Sequence, residues 1–326
     1  MYSIKQIPED FQVKEISKVD IGQVGHFTYF VLKKKNYTTV GAIEQIAEKL
    51  KIKPNRFGFA GNKDRVAVTT QLVSVKDIPK DPLERISLKD ISIEVLGYGA
   101  RPVSLGDLFG NDFLITVRNL SKDDLDRLDA KVASGMMVPN FFGEQRFSEN
   151  NAEIGKAIVK RDFKKAVKII LKTQGDYEMS VKEHLEEHKE DYIGALRKIN
   201  KKILRIFLSA FQSDIFNQTV RKYISSQKEN VMVPIVGFGT EIDDPMIDVI
   251  VMKIMEKEGV IFRDFVIREM PELSFEGSER PLYVSVDNLR IVEVGKDTIN
   301  KKYKVVLSFT LGSGSYATEV IKYLFE

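Results

Sequence analysis

Strand-like sequence occupies both ends of this chain and helical sequence fills its middle, an order that few folds accommodate. Near the start, FQVKEI and HFTYFVL alternate with a period of two, placing Phe27, Tyr29 and Val31 on one face. Thr38 or Thr39 is placed to cap a helix whose apolar positions Val40, Ile43, Ala47 and Leu50 recur every three or four residues. TTQLVSV, ISIEVLGY and FLITVRNL continue the strand texture, and Ser121 with Asp124 makes a capping box for a helix ending near Gly135. From about Asn150, amphipathic helices richer in lysine take over. Near Arg280 the strands return as PLYVSV, LRIVEV and KYKVVLSFTL, followed by a short final helix, ATEVIKYLF. The pattern predicts an α+β protein: a mainly antiparallel sheet domain built from residues 1–150 and 279–326, with a helix-rich α+β domain inserted over 151–278.

Composition narrows the chemistry. With 43% hydrophobic and 30% charged residues, the 326-residue chain matches a globular protein with a substantial core. It has no cysteine, which excludes disulfides, cysteine-based zinc sites and thiol nucleophiles. Only His26, His184 and His188 are available for histidine chemistry. MYSIKQIPEDF has no apolar core of signal-peptide length, and no apolar run of about 18 residues occurs, so a cytoplasmic location is expected. The net charge of +3 is too small to argue for nucleic-acid binding without knowing where the cations sit.

Three local patterns invite chemistry. HLEEH, His184 to His188, has the spacing of a zinc peptidase motif, but its surroundings, VKEHLEEHKEDY, read as a solvated helix face, and no metal site is expected. GSGSYA, Gly312 to Ala317, matches a dinucleotide fingerprint, which needs a βαβ unit and an acid about 20 positions on. Only nine residues follow Ala317, so these glycines are expected to allow a tight strand-to-helix turn or close backbone approach to a ligand. Arg161, Lys164, Lys165, Lys168 and Lys172 repeat at helical spacing, and RKINKKILR, Arg197 to Arg205, holds five cations and no acid. These stripes read either as ordinary solvated faces or as phosphate contacts.

A fourth stretch, FGFAGNKDRVAVTTQ from Phe57 to Gln71, sets Asp64 between Lys63 and Arg65, just before a strand-like run. Cationic neighbours keep a carboxylate ionised, and an ionised, partly desolvated carboxylate serves as nucleophile or general base. The alternative is a solvated turn.

AGNKDRVAVTTQ resembles the signature of the TruD family of RNA pseudouridine synthases, filling every position of G-x-K-D-R-x-A-x-T-x-Q from Gly61 to Gln71. Further segments are similar to family elements in the family's order: IKQIPEDFQVKE, LGDLFGNDFLITVR, VPNFFGEQRF, LSAFQSDIFNQ and FTLGSGSYAT. Gly312 stands where the family usually has proline, and Ser148 where it usually has glycine; both bear on turn geometry. The resemblance implies a pseudouridine-synthase-type catalytic domain with an inserted TRUD-type domain. It also implies isomerisation of uridine to pseudouridine without metal or organic cofactor. The C1′–N1 bond breaks, the uracil turns, and a C1′–C5 bond forms. By the same resemblance Asp64 is the catalytic aspartate, attacking sugar or base or removing a sugar proton by way of a glycal.

Adjacent side chains on an extended backbone point to opposite faces, so Lys63 and Arg65 are not automatically partners of Asp64. The family match makes Lys5 the candidate ion-pair partner, Phe142 the aromatic that stacks the flipped base, and Asn140 an active-site position. Candidate RNA contacts are Lys63, Arg65, Arg146, Arg161, Lys165, Lys168, Arg197, Lys201 and Arg205; Arg146 and Arg280 are equally explained as structural ion pairs. The expected partner is tRNA, with position 13 of the D-arm as the family's best-known target. No membrane or DNA partner is expected, and a monomer is favoured. The competing reading is a non-catalytic RNA-binding or chaperone protein on the same fold.

Overall fold

A computed structural model describes residues 2–132, 136–172, 177–224 and 229–326. Its contacts divide the chain into two compact units, Met1–Val138 with Ser285–Glu326, and Pro139–Val284. In chain order the elements are β1 (Phe11–Ser17), β2 (Phe27–Lys35), α1 (Thr39–Leu50), β3 (Phe57–Phe59), β4 (Val68–Lys76), α2 (Lys80–Glu84), β5 (Ile91–Gly99), β6 (Leu108–Leu120), α3 (Lys122–Lys131) and β7 (Met136–Pro139). There follow α4 (Asn151–Val159), α5 (Phe163–Ile170), α6 (Glu178–Glu187), α7 (Tyr192–Arg197), α8 (Lys201–Tyr223), β8 (Met232–Ile235), α9 (Pro245–Glu258) and β9 (Ser278–Pro281). β10 (Tyr283–Lys296), β11 (Tyr303–Gly312) and α10 (Ala317–Phe325) complete the chain.

One sheet runs β5-β2-β4-β1-β6-β11-β10-β7, with β3 also paired to β4. β1 and β4 are parallel, whereas β1–β6, β6–β11, β11–β10, β4–β2, β2–β5 and β3–β4 are antiparallel. The mainly antiparallel sheet is therefore as expected. Register decides which side chains share a face, because alternate residues point the same way. Lys34 opposes Thr69, Thr69 opposes Val13, and Val13 opposes Phe113, which opposes Phe309. A single face thus carries Phe30, Leu32 and Lys34 of β2, Gln71 and Val73 of β4, Phe11 and Glu15 of β1, and Phe113 of β6.

Helix α1 covers part of that face. Thr38 caps it by accepting from the Gly41 N–H, and Ala42, Ile43, Ile46 and Ala47 pack on Phe30, Leu32, Val73 and Val75. The apolar stripe differs from the expected one at Val40, which is 45% exposed: as the second helical residue it turns away from the sheet, while Ala42 and Ile46 complete the buried row. Ser121 and Asp124 form the expected capping box of α3, and Gly135 lies outside the described residues.

The N-terminal segment is fastened to the sheet by charge. Ser3 exchanges both backbone hydrogen bonds with Arg118 of β6, and the Arg118 guanidinium donates to Asp10 at 2.8–2.9 Å and to Asp297 at 2.9 Å. Asp10 and Asp297 are each 1% exposed. Burial alone would raise the Asp297 carboxyl, but donors from Asn300, the Ile299 and Asn119 N–H groups and Arg118 outweigh it and hold the carboxyl well below its usual range.

In the second unit, α8 is buried on several sides through Phe207, Phe211, Phe216 and Val220. Helix α4 packs directly on it at Gly155, where a Cβ would stand 2.0 Å from the Phe207 carbonyl oxygen, so only glycine permits this approach. β8 and β9 form a separate antiparallel pair. The segment 139–150, placed with the sheet domain on sequence, lies in this unit, and its partners Ser213 and Asn217 explain why.

Candidate active site

The loop from Gly61 to Ala67 leads into β4, and its backbone is bonded at successive positions. Gln71 Nε2 donates to the Gly61 carbonyl at 3.0 Å, and the Thr39 hydroxyl donates to Gln71 Oε1 at 2.8 Å. The Lys63 N–H donates to that same hydroxyl oxygen at 2.9 Å. Lys34 Nζ donates to the carbonyls of Asp64 at 2.9 Å, Lys63 at 3.4 Å and Tyr37 at 2.5 Å. Burial pushes the Lys34 ammonium down to about 8, against the attraction of Asp64 and with the repulsion of Lys63.

These bonds leave the Asp64 side chain 37% exposed, with one tight partner. Lys5 Nζ donates to Asp64 Oδ2 at 2.6 Å across 59 residues of sequence. The same ammonium lies 4.0 Å from the centroid of the Phe11 ring, and Lys5 has a left-handed φ of 57°. The expected Lys5–Asp64 contact is thus present. Lys63, expected among the RNA contacts, instead points inward: its Nζ donates to Glu15 at 2.6 Å, and their side chains are 8% and 0% exposed. A buried carboxylate needs a partner, and Lys63 supplies it. Arg65 is exposed and makes no ion pair with the described residues.

The second unit holds the other expected site residues. Asn217 of α8 accepts from the Phe142 N–H at 2.9 Å and donates to the Phe142 carbonyl at 2.9 Å, fixing that residue's backbone from both sides. The Phe142 ring, 8% exposed, meets Phe216 edge-on at 5.3 Å. The Arg280 guanidinium stands 4.4 Å from the Phe142 centroid, and that of Arg146 5.5 Å. Asn140 is 5% exposed and donates to the Pro281 carbonyl at 3.1 Å; Arg280 donates to the Asn140 carbonyl at 3.0 Å and to its side-chain oxygen. Arg280 therefore braces the loop against the ring.

Sequence reasoning missed Glu15, Lys34, Thr39, Ser213, Asn217 and, as a loop brace, Arg280. Part of the signal was available: Ser213, Phe216 and Asn217 stand at i, i+3 and i+4, one face of α8, and all three reach the 142–146 loop. Asn217→Ala is expected to lower stability by about 2–3 kcal/mol, read as a lower denaturant midpoint, because it removes two buried hydrogen bonds to the Phe142 backbone.

The basic stripes divide. Arg161 pairs with Asp264 and Glu269 and donates to the Val266 carbonyl, Arg197 donates to the Glu269 carbonyl, and Arg205 to that of Glu272 while stacking on Phe275. These three, expected as RNA contacts, clamp the 264–275 segment. Arg146 donates to the Ser213 hydroxyl at 3.2 Å. Lys165, Lys168 and Lys201 are exposed and make no ion pair with the described residues. His184 lies 2.9 Å from Asp191, the N-cap of α7, and stacks on His188. In the GSGSYA turn, Gly314 takes a φ of 83° and the Ser313 N–H donates to Phe109. Gly312 has open space where a Cβ would stand, so the loss of the usual proline asks nothing special of the turn.

The sequence profile of the family described as TruD, tRNA pseudouridine synthase D, matches residues 2–182, 170–229 and 218–324. A Methanopyrus kandleri protein named "Probable tRNA pseudouridine synthase D" is 33% identical, over 93% of this chain and 86% of its own. The tRNA pseudouridine synthase D of Aquifex aeolicus is 27% identical, over 99% and 97%. The crystal structure of the TruD protein of Methanosarcina mazei superposes with a TM-score of 0.78 at 29% identity, covering 99% of this chain and 93% of that one. The family match and the structural likeness define an enzyme of the pseudouridine synthase class, an isomerase. The chain belongs to the TruD family of tRNA pseudouridine synthases.

Proposed function

We propose that the protein converts a uridine of tRNA to pseudouridine, with Asp64 as the reacting carboxylate. The observation that carries this reading is the Lys5–Asp64 pair: one half-exposed carboxylate, on a loop bonded at nearly every peptide, held by a cation from a distant segment. Rigid mounting of a reactive group is what lowers the entropic part of a barrier. An ammonium at 2.6 Å orients the carboxylate that attack on sugar or base, or removal of a sugar proton, requires.

The remaining assignments follow the family. Phe142 stacks the uracil once it has left the helix, which offsets part of the unstacking energy. Arg280, already against that ring, shares it with the base or yields to it. Asn140, locked by Arg280 and Pro281, shapes the loop around the base. The reaction is intramolecular and redox-neutral, and asks for no organic cofactor or metal. Exposed Arg65, Lys165, Lys168 and Lys201 are the cations left available for phosphate; Lys63, Arg161, Arg197 and Arg205 serve the fold. The proposed target is position 13 of the D-arm. Mapping pseudouridine in a tRNA pool before and after incubation tests this: a new modification confined to that position supports it, and modification elsewhere alone contradicts the target.

A further inference from the structure

Lys34 is 1% exposed, lies on the sheet face that α1 covers, and among the described residues has no carboxylate bonded to its ammonium. Its three donors go to three backbone carbonyls, those of Tyr37, Lys63 and Asp64. These belong to two different segments, the entry to α1 and the loop that carries Asp64. An ammonium in such a place is unusual, since burying a charge without a counter-ion disfavours it and an apolar side chain would avoid that penalty. The neighbouring charged groups are the Asp64 carboxylate and Lys63 with its partner Glu15. Glu9, Lys34 and Asp90 are among the residues that line a cavity of about 550 Å³. Lys33 and Lys35, its chain neighbours, alternate to the other face of the sheet.

We propose that Lys34 is a positioning residue for the reaction: its charged ammonium ties the Asp64 backbone to the entry of α1, and losing that charge releases the carboxylate from its working position. This rests on the reading of Asp64 as the reacting group. Burial brings the ammonium down to about 8, so the tie is complete at neutral pH and is lost as pH rises through that value. Stability moves the other way. The folded state binds fewer protons than the unfolded state between about 8 and the ordinary 10.5, so this group's contribution improves across that window.

The test measures the single-turnover rate constant and KM on tRNA against pH for the wild type, Lys34→Met and Lys34→Gln, with thermal melts at each pH. The wild-type rate is expected to fall above pH 8 through one ionisation, at the midpoint shown by the Lys34 side-chain nitrogen resonance. Lys34→Met is expected to lose roughly 10²-fold in rate with KM within about twofold, and to lack the alkaline limb. Lys34→Gln, which restores amide donors without charge, regains part of the rate and also lacks the limb. The wild type is expected to gain melting temperature relative to Lys34→Met as pH rises past 8. A folded Lys34→Met with the wild-type rate, or a Lys34→Gln that keeps the alkaline limb, overturns the proposal. Should Lys34→Met not fold, Lys34→Gln and the wild-type resonance decide. If Asp64→Asn is inactive while Lys34→Met is fully active, only this proposal fails; if Asp64→Asn is fully active, the reading of Asp64 fails first.

Discussion

Asp64→Asn is expected to reduce pseudouridine formation by ~10⁴-fold or more while leaving affinity for tRNA within a few-fold of the wild type, the pattern for removal of a group that acts in the transition state. The substitution is nearly isosteric, and the loop's backbone bonds to Lys34, Thr39 and Gln71 do not involve the Asp64 side chain, so the loop stays in place. What is lost is the negative charge facing Lys5 at 2.6 Å. Lys5→Met is the companion: with the cation gone, the carboxylate keeps its loop but loses its orientation, and a smaller fall in rate is expected. The comparison is informative because a solvated turn, the bland reading of Asp64, predicts no change from either substitution. A protein that only binds RNA predicts the same null result.

The largest effect on stability is expected at Arg118. Its guanidinium is the shared partner of Asp10 and Asp297, both 1% exposed, and Arg118→Met leaves both carboxylates buried without it. Breaking a buried ion pair from one side costs about 3–5 kcal/mol, so the urea midpoint should fall sharply. Asp297 fixes the pH dependence. Its folded-state carboxyl sits well below the unfolded value of about 3.9, so its contribution is fully present above that value and is lost as the solution is acidified below it. The gap between wild type and variant should accordingly narrow below about pH 4. The function should suffer too. Arg118 holds Asp10 and, through its backbone, Ser3, and between them lies Lys5. A loosened segment no longer presents Lys5 to Asp64. A variant as stable as the wild type would mean that Asn300 and the Ile299 and Asn119 amides suffice for Asp297.

The sheet was legible in the sequence because its signals are local. Period-two runs, Thr38, and Ser121 with Asp124 each act within a few residues, and each element they predict is present. Local charge marked Asp64 as one of two readings, but its pairing with Lys5 was legible only through resemblance: they are 59 positions apart, and nothing periodic links them. Lys34 stands in the run LKKKN, whose composition carries no signal of burial. A strand sends successive side chains to opposite faces, so the middle lysine of that run is the buried one. The partners of the basic stripes were hidden for a related reason. Spacing showed that the cations share a helix face but not what they bond, and for Arg161, Arg197 and Arg205 the partners lie in the protein's own 264–275 segment. Val40 failed because the buried row runs through Thr39, Ala42 and Ile46, one residue off the row that apolar spacing picked.

Release of tritium from tRNA labelled at uridine C5 bears most directly on the central claim. Joining C1′ to C5 expels the hydrogen on C5, so each turnover must liberate one tritium from the modified uridine. Folded wild-type protein is predicted to release tritium from a tRNA pool lacking the modification, and folded Asp64→Asn to release none above background. No release by the wild type, or equal release by the two proteins, would contradict the account.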